Sequence, residues 1–281
     1  MTVYSAPFAS RDASQASRPS LFDALGEFRV PLEASIYWLG ALTHPWPHVK
    51  PFNSKVVMLI PGFMAGDVTL SPLANFCRWL GHSAAYAGIW SNSECPRDTM
   101  RKLNSRLAAV YEKFQQPIVV LGQSLGGVYA REIAREQPEK VERVISLGSP
   151  LRQPRNAANL AVQAVARSMA ALRGKADGCL SESCQCGLIL SDESAAQVPA
   201  THVYSRTDGV VAWQSCIDLS GAPTVENVEV TGSHVGMGLN AEVYRVVADR
   251  LAMPHRSRPH SADSNVAAAR LESRARAQAV A

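Results

Sequence analysis

The chain is poor in the features that mark several protein classes. Cysteine occurs only six times in 281 residues, at irregular spacing, which excludes a scaffold built on disulfides. Cys179, Cys184 and Cys186 cluster, but a structural zinc site needs paired Cys-x-x-Cys or Cys/His elements with a fourth ligand. No such partner pair is present, so no metal is expected; plain burial, or one bridge from this loop to Cys216, is. Long apolar runs are also missing. The longest near the N-terminus, around Ile36 to Leu42, is too short to span a bilayer. Residues 1–20 are rich in Ser, Ala and Arg and lack the apolar stretch of a secretory signal. A disordered leader and a soluble, cytoplasmic protein are the expectation. Neither a glycine-rich phosphate loop nor a dinucleotide fingerprint occurs, so no cofactor is expected. The net charge of +4 is concentrated at the ends, +1 in residues 1–20 and +3 from Pro254 onward. The body is therefore neutral, and without a basic stripe on a folded face nucleic acid is not an expected partner.

The remaining composition, 47% hydrophobic and 19% charged, suits one α/β domain over residues 21–253, followed by a flexible basic tail over 254–281. Val56 to Ile60 is a continuous apolar run ended by Pro-Gly, the pattern of a strand buried on both faces. Ile118 to Leu121 and Val141 to Leu147 read the same way. Ala84 to Ile89, 201–205 and 225–230 complete a set of about six strands. A helix is predicted over 72–80, capped by Ser71 with Pro72 at its first position, and closed by Gly81. Another is predicted over 99–114, with Met100, Leu103, Leu107, Val110 and Phe114 on one stripe, Asp98 as cap and Pro117 as stop. Residues 21–43 carry roughly helical spacing broken at Pro31. Helices between strands predict a mainly parallel sheet with helices on both faces. Residues 151–200 form an excursion too long for an ordinary connection. Its Ala-rich first part could lie over a pocket as a cap or lid, or be a plain packing helix.

Directly after the strand at 118–121 comes Gly122-Gln123-Ser124-Leu125-Gly126, and then a helical pattern. Strand, G-x-S-x-G, helix is the context of a nucleophile elbow. The tight turn strains its central residue, which small flanking residues permit. Serine needs a base. Of seven histidines, His234 follows the last strand in a glycine-flanked loop, at the carboxyl edge where sites assemble in open α/β sheets. Asp208 takes the corresponding position after the run at 201–205; Asp192 and Asp218 follow no well-marked strand. An oxyanion hole needs two backbone N–H donors. Leu125, after the nucleophile, supplies one candidate. Phe63, in the turn after the first strand with Met64 as neighbour, supplies the other.

The order Ser124, Asp208, His234 is that of α/β-hydrolases. Over about residues 50–253 the chain resembles that superfamily, and within it a small bacterial lipase/esterase-like subgroup. The resemblance rests on LIPGF, GQSLGGVYARE, VISLGSP, YSRTDGVVAW and GSHVGMGLN, in that order. Many lipases carry His-Gly at the first turn; here it is Pro61-Gly62. The resemblance implies an α/β-hydrolase fold around a central elbow strand, with 151–200 as cap or lid. The expected activity is serine hydrolysis of a small-molecule acyl ester, lipid-like if the apolar cap covers the pocket, without stable membrane insertion. Two alternatives share the fold: acyl transfer by the same triad, and a non-catalytic module binding an acyl ligand or a partner.

Overall fold

The computed structural model describes residues 3–4, 54–152 and 198–255, with isolated positions between 19 and 35 and at 158 and 164. Among the described residues seven strands form one sheet in the order β1-β7-β6-β5-β4-β2-β3. These are β1 Val3–Tyr4, β2 Val56–Ile60, β3 Ser83–Tyr86, β4 Ile118–Gln123, β5 Val141–Leu147, β6 Ala200–Tyr204 and β7 Val225–Glu229. Strands β2 to β7 pair in parallel. Two-residue β1 adds an antiparallel edge, Val3 opposite Val228. The rest of the expected leader, nearly all of the 151–200 excursion, the basic tail beyond His255 and most of 21–43 lie outside the described residues.

The two faces follow from the alternation of side chains along a strand. Val57 and Leu59 of β2, Val119 and Leu121 of β4, and Ile145 and Leu147 of β5 point to one side. They pack there under helix α1 (Ser71–Trp79) and helix α4 (Ala241–Ala252). Phe76 and Tyr244 join these helices edge to face at 4.5 Å. Val56, Met58, Ile60, Ile118 and Val120 point to the other side, under helix α2 (Pro96–Phe114) and helix α3 (Leu125–Glu136). Each fully buried aliphatic side chain contributes about 1.5–3 kcal/mol relative to exposure. Helices on both faces of a mainly parallel sheet are therefore present as the sequence predicts.

The helix boundaries differ in detail. Ser71 is the first residue of α1 rather than its cap, because a 3₁₀ turn over Asp67–Leu70 runs straight into the helix. Helix α2 begins at Pro96, with extended Cys95 before it. Asp98 thus falls in its first turn and pairs with Arg101 at 2.7 Å instead of capping. Left-handed Gln115 already ends that helix, two residues before Pro117. Cys77 and Cys216 are free thiols, so a bridge to Cys216 is not formed. Cys216 is buried, and loss of hydration pushes its thiol well above the usual range.

Candidate active site

Ser124 stands between β4 and α3 with φ 53° and ψ −124°, a conformation that β-carbon-bearing residues rarely adopt. The turn can close because its glycines have no side chain. A Cβ on Gly122 would lie 2.2 Å from the Gly126 carbonyl oxygen, and one on Gly126 would lie 2.2 Å from that of Ile60. Ser124 N–H donates to the Leu147 carbonyl at 2.8 Å, and the Ser124 carbonyl accepts from Gly127 N–H at 3.0 Å. The strained residue is thus fixed from the neighbouring strand and from its own helix. Its hydroxyl sits at the N-terminal, positive end of α3.

The candidate acid and base follow strands β6 and β7. Asp208, 4% exposed, follows β6. Its Oδ1 accepts from the N–H groups of Val210 at 2.9 Å and Val211 at 2.7 Å. That leaves Oδ2, which meets His234 Nδ1 at 2.6 Å. His234, 6% exposed, opens the turn after β7. The two loops are stitched together by Ser205, whose hydroxyl donates to the Gly232 carbonyl at 2.7 Å, and by Thr207, which reaches the same oxygen at 3.1 Å. Burial lowers the His234 pKa. The Asp208 charge and hydrogen bond, with the charge of Glu27, outweigh it, so the pKa is raised above 6.5.

Two contacts tie this pair to the elbow, and a third packs against Ser124 itself. Gln123, beside Ser124, donates from Nε2 to the His234 carbonyl at 3.0 Å. Gly148, next to the Leu147 carbonyl that receives Ser124 N–H, lies directly against the pair. A Cβ there would be 3.1 Å from His234 Nδ1 and 3.2 Å from Asp208 Oδ2. Gly62 in turn faces Ser124, with 3.8 Å between its would-be Cβ and Ser124 Oγ. Among the described residues no hydrogen bond joins Ser124 Oγ to His234, a contact that commonly tightens only with substrate bound.

The two candidate donors differ in their local setting. Leu125 is the first residue of α3, where the N–H has no intrahelical acceptor. Phe63 N–H has no acceptor among the described residues, whereas Met64 N–H is taken by the Asn92 carbonyl at 2.9 Å. Of these two neighbouring N–H groups, that of Met64 is therefore the one already engaged. Asn92 braces the same turn, donating from Nδ2 to the Pro61 carbonyl at 2.8 Å.

A second Ser, His and Asp come together inside the sheet. Ser146 Oγ and His202 Nδ1 are 2.8 Å apart, and His202 Nε2 is 3.9 Å from Asp218 Oδ2. Ser146 and His202 face each other across β5 and β6 and are each 1% exposed. Burial drives the His202 pKa down to about 4. A mid-strand serine 1% exposed and bonded to a neighbouring imidazole is a satisfied buried polar group, whereas His202 Nε2 has no hydrogen-bond partner among the described residues and Asp218 Oδ1 accepts from Ser220 N–H at 2.7 Å.

Glu27, Gln123, Asn92 and Gly148 were not singled out by pattern. Gly148 lies in the VISLGSP run and Gln123 inside the elbow pentapeptide, as its variable position; Glu27 and Asn92 carry no local signal. Among the described residues no group of three or more His, Cys, Asp or Glu could hold a metal, and no helix is long and apolar enough to cross a membrane.

No protein-family model and no curated protein matches the sequence. Solved structures do. Aspergillus fumigatus lipase B is similar at a TM-score of 0.55 and 16% identity, over 75% of this chain and 55% of that one. An α/β hydrolase enzyme from a sediment metagenome of the Mar Chica lagoon, Morocco, gives 0.52 at 15% identity, over 70% and 90%. Mouse alpha/beta hydrolase domain-containing protein 10 gives 0.50 at 18%, over 72% and 90%. At such identities the likeness is one of fold, and the chain has the α/β-hydrolase fold.

Proposed function

We propose that the chain is a serine hydrolase of carboxylic esters, with Ser124 as nucleophile, His234 as general base and Asp208 as its orienting acid. The observation that carries this is the buried 2.6 Å contact between Asp208 Oδ2 and His234 Nδ1, placed against a serine at φ 53° on a strand-to-helix elbow. With Nδ1–H held by Asp208, the free Nε2 is the basic nitrogen. Ser124 Oγ attacks the ester carbonyl as His234 Nε2 takes its proton, and the carbonyl electrons move onto oxygen. The N–H groups of Phe63 and Leu125 receive that oxyanion. Collapse of the intermediate expels the alcohol, which leaves with the proton from His234. Water, deprotonated by the same nitrogen, then attacks the acyl carbonyl, and collapse of this second intermediate frees the acid as His234 returns the proton to Ser124 Oγ.

The neighbouring folds named as hydrolase and lipase support the reaction class, since the site here has the residues that class needs. An acyl-enzyme that is hydrolysed more slowly than it forms gives burst kinetics, as with activated aryl esters. Mixing the protein with p-nitrophenyl esters should release one equivalent of p-nitrophenol rapidly, then more at the deacylation rate. Absence of turnover across short and long acyl chains would argue for the binding-module alternative.

A further inference from the structure

Glu27 is remote in sequence from every residue of the candidate site, yet its half-buried side chain sits between the two loops that hold acid and base. Its Oε1 accepts from Gly209 N–H at 2.9 Å and from His234 N–H at 2.8 Å. Its Oε2 accepts from Val235 N–H at 3.0 Å. Gly209 follows Asp208, and Val235 follows His234. One carboxylate therefore ties the residue after the acid to the base and to the residue after the base. Hydrogen bonds to an ionised carboxylate are about twice as strong as neutral ones, and here three converge on one group. Both loops are irregular and belong to different strands, β6 and β7, so their relative position depends on such cross-links.

We propose that Glu27 is a positioning residue for the general base, locking the Asp208 and His234 loops in register so that the imidazole stays seated on its acid. The proposal rests on the reading of Ser124, Asp208 and His234 as a triad. A simple anchor for the segment around Glu27 would need only one loop; this carboxylate bridges two, at the two residues whose alignment matters. It also adds charge. The groups acting on the ring are the carboxylates of Asp208 and Glu27, and both favour the imidazolium that forms when Ser124 gives up its proton.

Glu27→Ala and Glu27→Gln separate the bridge from the charge. The amide oxygen of Gln can still accept from Gly209 and His234, but its NH₂ cannot accept from Val235. In Glu27→Ala, kcat for ester hydrolysis should fall about 10- to 100-fold, the scale of a sub-ångström to one-ångström misplacement, with KM little changed. The acid limb of the pH–rate profile should move to lower pH in both variants, because a negative charge beside His234 is gone. Glu27→Gln should retain more of kcat. A third readout needs no turnover: the far-downfield proton resonance of His234 Nδ1–H should shift or broaden in Glu27→Ala and less in Glu27→Gln. Unchanged kcat and an unmoved resonance in folded Glu27→Ala would overturn the proposal. So would a loss of activity that tracks loss of folded protein while limb and resonance stay put. If the wild-type chain turns over no ester, the triad reading fails instead, and the resonance still decides whether Glu27 seats the imidazole.

Discussion

Replacing Gly148 with alanine strikes the imidazole–carboxylate pair from beneath without altering any group that reacts. Gly148 has φ +56°, and holding a β-carbon-bearing residue in the left-handed region costs roughly 1–2 kcal/mol. The new Cβ would lie 3.0 Å from Met237 Sδ, 3.1 Å from His234 Nδ1 and 3.2 Å from Asp208 Oδ2. All three approaches are tighter than ordinary van der Waals contact, so the pair must yield by a few tenths of an ångström. For a domain of this size a loss of about 1–2 kcal/mol lowers Tm by about 2–8 °C. A one-ångström misplacement can cost about 100-fold in rate, so a shift of a few tenths should lower kcat about 10-fold. Differential scanning calorimetry and p-nitrophenyl butyrate turnover read the two effects separately. A variant that melts like the wild type at unchanged kcat would refute the close approach. One that is destabilised yet fully active would refute the link between this pair and catalysis.

Other perturbations separate the site from its surroundings. His234 must be neutral to accept a proton, and its pKa is raised. The kcat/KM of the wild type should therefore fall as pH drops through a value above 6.5. Asp208→Asn should move that limb down and lower the plateau about ten-thousand-fold, through loss of the correct tautomer. Ser146→Ala should keep ester turnover within about twofold while costing about 1–3 kcal/mol in urea unfolding, since buried His202 loses its partner. Loss of turnover there would make the internal constellation the site. At the opposite end of the sheet, buried Lys55 pairs with buried Glu142, which also accepts from His255. Glu142→Leu leaves the Lys55 charge unpaired and should cost about 3–5 kcal/mol; a loss under about 1 kcal/mol would mean that the pair is not buried as described.

The central strands were legible because a strand buried on both faces writes itself as an apolar run. Val56–Ile60 and Val141–Leu147 coincide with their predicted ranges. Two-residue β1 could not be read, since it holds a single strand period and so shows no repeat. The caps assigned to Ser71 and Asp98 misled for a related reason: a preceding 3₁₀ turn and a proline at 96 started both helices earlier than a polar side chain suggested. Of the candidate site, the elbow was visible from local sequence, and Asp208 and His234 from their places after strands. Their contact was not, because its residues are separated by 26 positions and joined only by the sheet. Glu27 was invisible for the same reason more strongly, 207 residues from His234 on a segment with only generic helical spacing. Gly148 needed the structure as well, because nothing local reveals which side chains a glycine makes room for.

The most direct measurement is covalent labelling with a fluorophosphonate probe followed by peptide mapping. Ser124 alone should be modified, at one equivalent per chain, with Ser124→Ala neither labelled nor able to turn over p-nitrophenyl esters. Labelling at any other serine, or turnover that survives in Ser124→Ala, would contradict Ser124 as the nucleophile.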